Sequence, residues 1–205
     1  MKPFWKKVNR GLLLGAALLL ALIVLIVVQT ISFRKAKPVI REEVRSYVSD
    51  LISATFVTGE EITPGANLTE DQKQARRDKF EKVIETHWQE VSEKELSSGS
   101  ILNGGLTGLD STRAWFENSL LGKKYPIDKL NLPILMDSDI SVTANGSGYA
   151  VATVSWFSFS YISDGTEVSG HGYLQLELKR VNGDWKIIAA SVSLADESET
   201  MGGSM

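Results

Sequence analysis

Between residues 137 and 195, four stretches rich in alternating apolar residues are separated by three short pairs that contain glycine. The pairs are Asn145-Gly146, Asp164-Gly165 and Asn182-Gly183. Asn, Asp and Gly adopt the positive φ angles that two-residue hairpin turns require. The stretches between them cover residues 140–144, 149–162, 168–181 and 185–194. This pattern predicts a meander of four antiparallel strands.

An apolar run near the amino terminus is the second constraint on the chain. Residues 11–28 contain no polar side chain. A helix rises about 1.5 Å per residue, so residues 11–33 can cross about 30 Å of hydrocarbon. We predict a transmembrane anchor over 11–33, because the run is longer than the apolar part of most signal peptides. The alternative is a cleaved signal peptide, for which Thr30-Ile31-Ser32 is the best cleavage site.

The orientation of this anchor follows from translocation rather than from charge. Basic side chains lie before the anchor at Lys2, Lys6, Lys7 and Arg10, and after it at Arg34, Lys35, Lys37 and Arg41. Long domains are translocated largely regardless of flanking charge. We therefore expect a single-pass protein of the cell membrane, with residues 1–10 as a basic cytoplasmic tail and the C-terminal domain outside the cytoplasm.

The charge of the remaining chain excludes one class of partner. Residues 1–37 hold seven Lys or Arg and no acid, so residues 38–205 carry 15 basic against 25 acidic side chains. An acidic domain does not favour binding to the phosphates of nucleic acids. The chain contains no cysteine, which excludes disulfides and thiolate metal sites.

Three stretches before the meander have helical patterns. Residues 39–56 follow Pro38, which suits a first helical turn, and repeat apolar residues at intervals of three and four. Thr69 and Gln72 stand at the positions of a capping box, and the helix they begin is expected to reach about residue 96.

A third, shorter helix is expected after Asp110 or Ser111, either of which suits the N-cap position. Together these patterns predict an α+β domain over residues 38–195, with about three helices packed on a curved four-stranded antiparallel sheet. Residues 196–205 are acidic and then rich in glycine, and we predict a disordered tail.

The two faces of the predicted sheet differ in composition. One face is almost wholly apolar and should pack on the helices. Its members are Ile140, Val142, Ala152, Val154, Trp156, Leu174, Leu176, Leu178, Ile188, Ala190, Val192 and Leu194. The opposite face is mixed but aromatic, with Phe157, Phe159, Tyr161 and Tyr173 at its centre. These four are candidates for a dimer or partner interface. The alternative is a second small core covered by the chain itself, and a bulge in the second strand would exchange part of the two faces.

Few residues are candidates for catalysis or for binding a ligand or metal. His87, next to Trp88 on a predicted helix, would line a pocket between helices and sheet together with Trp156, although a core histidine is the more common case. His171 lies between two glycines on a strand, as a surface histidine at a bulge would. The two histidines match no metal-ligand spacing, so we predict no catalytic residue, no metal site and no cofactor.

Helices followed by a long antiparallel sheet that ends in Gly183-Asp184-Trp185-Lys186-Ile187 resemble the nuclear transport factor 2-like superfamily, also called cystatin-like. The resemblance covers about residues 38–195 and implies helices packed into the concave face of a bent sheet. That family includes isomerases and dehydratases as well as non-enzymatic modules. The catalytic Asp and Tyr pattern of its steroid isomerase branch has no counterpart among these residues.

An N-terminal anchor before such a domain is similar to the bitopic subunit of type IV secretion and conjugation systems. It is also similar to membrane proteins associated with mammalian-cell-entry transport systems. The resemblance implies a non-enzymatic assembly or scaffold module of a bacterial envelope complex, with a second copy of the chain or envelope proteins as partners. The alternatives are an extracytoplasmic protein with a pocket for a small ligand or for acid–base chemistry, and a sensor domain that signals through the anchor.

Overall fold

The computed structural model of the protein describes residues 10–56, 68–92, 95, 107–120, 127–144, 148–163 and 165–196. The predicted turn at Asn145-Gly146 lies outside these residues, as do nearly all of the two predicted tails. The chain divides into two compact units, Met1–Pro38 and Val39–Met205.

Helix α1, Arg10–Thr55, begins in the first unit and ends in the second. In the first unit the side chains of residues 12–28 are exposed, although they are almost all apolar. This helix is long and apolar enough to cross a membrane. The prediction of a helix of membrane-spanning length is thus confirmed, whereas its insertion and orientation stay predictions.

The structure corrects one expectation about α1. The sequence predicts a new helix after Pro38, but α1 continues through this proline. Proline inside a helix removes one hydrogen bond and costs about 3 kcal/mol. Downstream of Pro38 the helix buries a full apolar stripe, which offsets that cost. The stripe consists of Ile40, Val44, Tyr47, Val48, Leu51 and Ile52.

Helix α2, Glu70–His87, begins as predicted. The Thr69 hydroxyl accepts the Gln72 N–H at 3.2 Å, and the Gln72 side chain accepts the Thr69 N–H at 2.9 Å. The helix ends at His87 rather than near residue 96, because Trp88 leaves it to pair with Ile187 of the sheet.

Helix α3, Leu109–Trp115, begins after Gly108 instead of the expected Asp110 or Ser111. It continues as one turn of π-helix, Phe116–Leu120. The Phe116 ring stacks on Phe80 of α2 with 4.0 Å between the ring centroids.

The sheet is antiparallel, curled and five-stranded, so the α+β class is confirmed. Its strands are β1 Lys129–Asn131, β2 Ile140–Ala144, β3 Tyr149–Ser163, β4 Thr166–Val181 and β5 Asp184–Asp196. Strands β2 to β5 correspond to the four predicted strands. Strand β1 lies in a stretch with no strand pattern, and it pairs with one end of β3 while β2 pairs with the other.

A bulge in β3 exchanges the two faces of the sheet midway along the strand. The register with β4 shifts between Val154 and Phe157. Before the shift Val154 points into the core, and after it Phe157 and Phe159 do. Trp156, predicted to face the helices, is 63% exposed, whereas Phe157 is 4% exposed. A second register shift, opposite Glu177 and Leu178 of β4, places one extra residue in β5 and changes the alternation along that strand in the same way.

Three of the four candidate interface residues are therefore core residues. Phe157, Phe159 and Tyr161 are buried within the chain, so the expectation that they form an exposed partner surface is wrong. The Phe56 ring from the end of α1 lies 5.0 Å from the Phe159 ring and 5.2 Å from the Tyr161 ring, between centroids. Tyr173 alone of the four is exposed.

The glycines beside His171 explain how these rings fit. Gly170 pairs with Phe159 and Gly172 with Phe157 across β3 and β4. A Cβ atom at Gly170 would stand 2.4 Å from the Phe159 ring, and one at Gly172 would stand 2.3 Å from the Phe157 ring. The expected bulge at His171 is absent, since this part of β4 pairs in regular register with β3. The glycines instead leave the space that the aromatic rings fill.

Candidate binding groove

The structure separates the three residues of the predicted pocket. His87 and Trp88 are buried on either side of Tyr47, whose ring centroid lies 5.5 Å from His87 and 6.4 Å from Trp88. Trp156 lies on β3, stacks on His171 at 4.4 Å and lines a groove that neither His87 nor Trp88 lines. His87 and Trp88 thus belong to one region and Trp156 to another.

His87 sits between two carboxylates of α1. Its Nδ1 lies 2.8 Å from Glu43 Oε1 and its Nε2 lies 2.9 Å from Asp50 Oδ2, while the imidazole is 1% exposed. A carboxylate accepts hydrogen bonds, so both ring nitrogens donate and the ring is an imidazolium. Burial opposes this charge, but the hydrogen bonds that the ring donates to Glu43 and Asp50, together with their negative charges, outweigh it and raise the pKa of His87.

This arrangement does not suit acid–base chemistry. Both nitrogens of His87 are engaged, so the ring has no free lone pair to accept a proton or bind a metal. Tyr47 is fully buried, and burial raises its pKa far above the usual value, so it stays protonated. Within the described ranges no group of three or more His, Cys, Asp or Glu side chains is arranged so that it could hold a metal ion. The cluster joins α1 to α2 and acts as a structural ion pair.

The region around Trp156 is open to solvent. A groove of about 570 Å³ lies beside the middle of β3, within the range of ~300–1,000 Å³ common for binding sites. Leu135, Phe157 and Phe159 contribute its buried apolar part, and Leu132 and Ile134 stand exposed at its margin. Its other lining residues are Asn131, Asp139, Trp156, Ser158, Ser160, Glu167 and Ser169.

The sequence explains why the groove forms here. Strand β1 ends at Asn131, and extending its register by two residues would place Pro133 opposite Ser158. Proline has no N–H and cannot continue the ladder. Strand β2 starts only after a turn in which Asp139 N–H donates to Met136 O at 3.1 Å. The chain between Asn131 and this turn therefore leaves the edge of β3.

The segment that borders the groove is held by α1. Arg45 Nε donates to Leu135 O at 2.9 Å, and Arg41 Nε donates to Ile140 O at 3.3 Å. Both arginines also pair with Asp137, and the hydrogen bond from Arg45 is the main cause of the lowered pKa of Asp137. These bonds fix the backbone from Leu135 to Ile140, and the side chains of Ile134 and Met136 next to buried Leu135 point outward.

Exposed apolar side chains concentrate at this place. Ile134 is 92% exposed, and Met136 and Trp156 are exposed to nearly two thirds. In the described part of the Val39–Met205 unit, the exposed large apolar residues are Val39, Leu132, Ile134, Met136, Trp156 and Tyr173. All but Val39 lie in the segment 132–136 or on the adjoining face of β3 and β4. We call Leu132, Ile134, Met136 and Trp156 the apolar rim.

The polar lining of the groove is acidic. Asp139 and Glu167 contribute carboxylates, and none of the lining residues that the structure describes is a Lys or Arg. Glu167 Oε1 accepts the Ser160 hydroxyl at 2.8 Å, and Asp139 accepts the Met136 N–H at 2.8 Å. Neither carboxylate forms an ion pair with another residue that the structure describes. The groove therefore combines an apolar surface with negative charge that is not neutralised locally.

The sequence analysis missed most of this site. Among its candidates only Trp156 lines the groove and only Tyr173 remains exposed beside it. A signal was present in residues 132–136, where Leu, Ile, Leu and Met surround a proline in a stretch without strand or helix periodicity. Apolar residues in such a stretch indicate either an anchoring loop or an exposed patch.

Comparisons with known proteins leave the family open. No model of a known protein family matches the chain, and no curated protein matches it either.

Proposed function

We propose that this protein is a single-pass, membrane-anchored assembly module that binds a partner protein at the apolar rim and its groove. The resemblance to bitopic subunits of secretion and conjugation systems supports a role in a bacterial envelope complex, with the domain outside the cytoplasm. The anchor would keep the domain near its partner, since tethering raises the effective concentration of both.

One observation carries the proposal. Soluble domains rarely expose large apolar side chains as a contiguous group, and such groups mark interaction surfaces. Ile134 and Trp156 face solvent on either side of a groove, although Phe157 beside Trp156 is completely packed. The arginine contacts from α1 hold the segment in a position that exposes Ile134, so the exposure is built into the fold.

The composition of the rim supports a protein partner. Trp, Met and Ile provide large contact area at modest cost in side-chain entropy, and aromatic residues and Met are enriched at the centres of protein interfaces. Ser158, Ser160 and Asn131 surround the apolar surface with hydrogen-bonding groups, as in a polar interface margin.

The test is affinity capture of the tagged full-length protein from its native membrane. The double variant Ile134→Ser/Trp156→Ser removes the largest exposed apolar groups without opening the core. Ala75→Ser, on the exposed side of α2, is the matched control. We expect the control to retain every partner of the unmodified protein and the double variant to lose at least one of them.

The controls make the result decisive. Interface hot spots contribute about 2 kcal/mol or more each, so the double variant should reduce capture at least tenfold. Equal capture by the double variant, with the same thermal unfolding as the unmodified protein, would contradict the proposal.

A further inference from the structure

We propose that the partner inserts an extended segment, with basic side chains among apolar ones, as an added strand on the open edge of β3. This inference rests on the proposed function and specifies the chemistry of the partner. Strand addition supplies affinity through main-chain hydrogen bonds and specificity through pockets for alternate side chains.

The middle of β3 has one unpaired edge. Strand β4 pairs with β3 along almost its whole length, and β1 and β2 both pair on the other side. Strand β1 covers residues 160–162 and β2 covers residues 150–154, so residues 155–159 have no strand beside them there. Within the described chain, no backbone hydrogen bond joins residues 132–138 to residues 155–159. An unpaired edge is a template for another strand.

The direction of the backbone groups can be derived from β1. Ile162 C=O accepts Asp128 N–H at 2.8 Å, so the groups of Ile162 point to this edge. In an antiparallel sheet, N–H and C=O of one residue point to the same side, and alternate residues point to opposite sides. The backbone groups of Ser160 and Ser158, which lie past the bulge at alternate positions from Ile162, therefore point to the same edge as those of Ile162. On this edge Ser160 is the register partner of Asn131 at the end of β1, whereas no described strand pairs with Ser158, whose other edge pairs with His171 of β4.

The side chains around this edge define the incoming segment. Alternate residues of an added strand would meet the apolar surface of Phe157, Phe159 and Leu135 on one side. The carboxylates of Asp139 and Glu167 offer charge complementarity to Lys or Arg. The same carboxylates disfavour an anionic lipid surface. A purely apolar small ligand has no groups that could hydrogen-bond to the unpaired backbone edge.

The probe is a fluorescent pentapeptide of alternating Val and Lys, matched in length to the five residues, 155–159, that are unpaired on this edge. It is added to the full-length protein in phospholipid nanodiscs and followed by fluorescence anisotropy. Two peptides test the two parts of the proposal. One peptide replaces every Lys by Glu. The other carries N-methyl groups on every second residue and is made in two versions, methylated at the odd or at the even positions. Each lost main-chain hydrogen bond costs about 1 kcal/mol, so N-methylation of the residues that face β3 should weaken binding by about fivefold or more. The Glu peptide keeps its main-chain N–H groups but is repelled by Asp139 and Glu167, and we expect it to bind at least tenfold more weakly.

Variants of the protein test the same contacts from the other side. Ser158→Pro removes the N–H that faces the open edge, and proline is tolerated in a strand only where its nitrogen faces no partner. Ser158→Ala keeps this N–H and is the matched control. Glu167→Gln keeps an acceptor for Ser160 and removes the charge, so the Lys peptide should bind about two- to fivefold more weakly.

The outcomes separate this inference from the proposed function. Equal binding of the N-methylated and unmodified peptides would overturn strand addition, even if Ser158→Pro fails to fold. Equal binding of the Lys and Glu peptides would overturn the basic chemistry, as would tighter binding to empty nanodiscs containing anionic lipid than to the protein. If these results occur while Ile134→Ser/Trp156→Ser still loses its captured partner, the inference fails and the proposed function stands.

Discussion

Trp156 and Phe157 are neighbours in one strand and have opposite environments. Phe157 lies against the space left by Gly172 and is 4% exposed, whereas Trp156 stands on the outer face against His171 and is 63% exposed. Neighbouring strand residues point to opposite faces, and the bulge between Val154 and Phe157 decides that Phe157 rather than Trp156 faces the core. One strand thus supplies part of the closed core and part of the open rim.

The comparison shows that aromatic content alone does not identify an interface. The closed region has matched partners for each ring, in Phe56 on one side and the glycines of β4 on the other. The open region has apolar side chains with no such cover and a proline that keeps the edge of β3 free. Changes in the closed region should affect stability, and changes in the open region should affect binding.

The largest effect is expected from Phe159→Ala in the closed region. It removes a buried ring that packs on Phe56, so the free energy of unfolding should fall by about 3–5 kcal/mol. Chemical denaturation of the full-length protein in detergent measures this loss. The matched substitution Trp156→Ala should cost less than about 1 kcal/mol. If both variants lose the same stability, the two environments do not differ as described.

His87→Gln should have a smaller effect than Phe159→Ala. It removes the charge that holds Glu43 and Asp50 against the ring, and a broken buried polar contact costs about 1–3 kcal/mol. Because Glu43 and Asp50 are partly exposed, water compensates some of the loss and the value should lie in the lower half of this range.

The same residue gives a pH dependence with a defined sign. The folded-state pKa of His87 is raised above its unfolded value of about 6.5, so folding favours the protonated ring. Its contribution to stability is complete below about pH 6.5 and is lost as the pH rises through the folded-state pKa. Denaturation midpoints of the unmodified protein should fall over this interval relative to those of His87→Gln. A constant difference between the two proteins across this interval would contradict an imidazolium at His87.

Gly172→Ala sharpens the comparison within the closed region. The new Cβ would stand 2.3 Å from Phe157 Cζ and 2.8 Å from Leu194 Cδ2, so side chains must move at a cost of about 1–3 kcal/mol. Ser193→Ala, at an exposed position of the adjoining strand, should change stability by less than about 0.5 kcal/mol. Thermal unfolding of both variants checks the difference. A tolerated alanine at Gly172 would mean that the Phe157 ring has other space to occupy.

The smallest effect on stability is expected from Ile134→Ser. This side chain is 92% exposed, so its removal should change the free energy of unfolding by less than about 0.5 kcal/mol. A clear loss of stability in differential scanning calorimetry would show that Ile134 packs in the folded protein and does not belong to an open rim.

The sequence predicts the strands of the meander well because side-chain alternation and turn chemistry are local. The bounds of β2 match the predicted ones, β3 and β4 each match at one end and differ by one or two residues at the other, and β5 differs by one or two residues at both ends. A bulge in the second strand is an alternative that the sequence analysis names, and β3 contains one, but its position does not follow from the sequence because one extra residue reverses the alternation without changing composition. This reversal moved Phe157, Phe159 and Tyr161 into the core and Trp156 out of it.

Two further features depend on contacts distant in sequence. The end of α2 at His87 follows from the pairing of Trp88 with Ile187, about one hundred positions away. The groove requires β1, a three-residue strand whose sequence has no clear period and which forms because β3 offers an edge. The capping box at Thr69 was predictable because both of its bonds are local.

The most direct test of the account is site-specific photocrosslinking in intact membranes. A photoreactive residue in place of Ile134 is compared with one in place of Ala75, each in the full-length protein. We predict a discrete crosslinked product from position 134, mapped by mass spectrometry to a segment of a partner protein, and none from position 75. Crosslinking at position 134 to lipid alone, or the same products from both positions, would contradict a partner surface at the apolar rim.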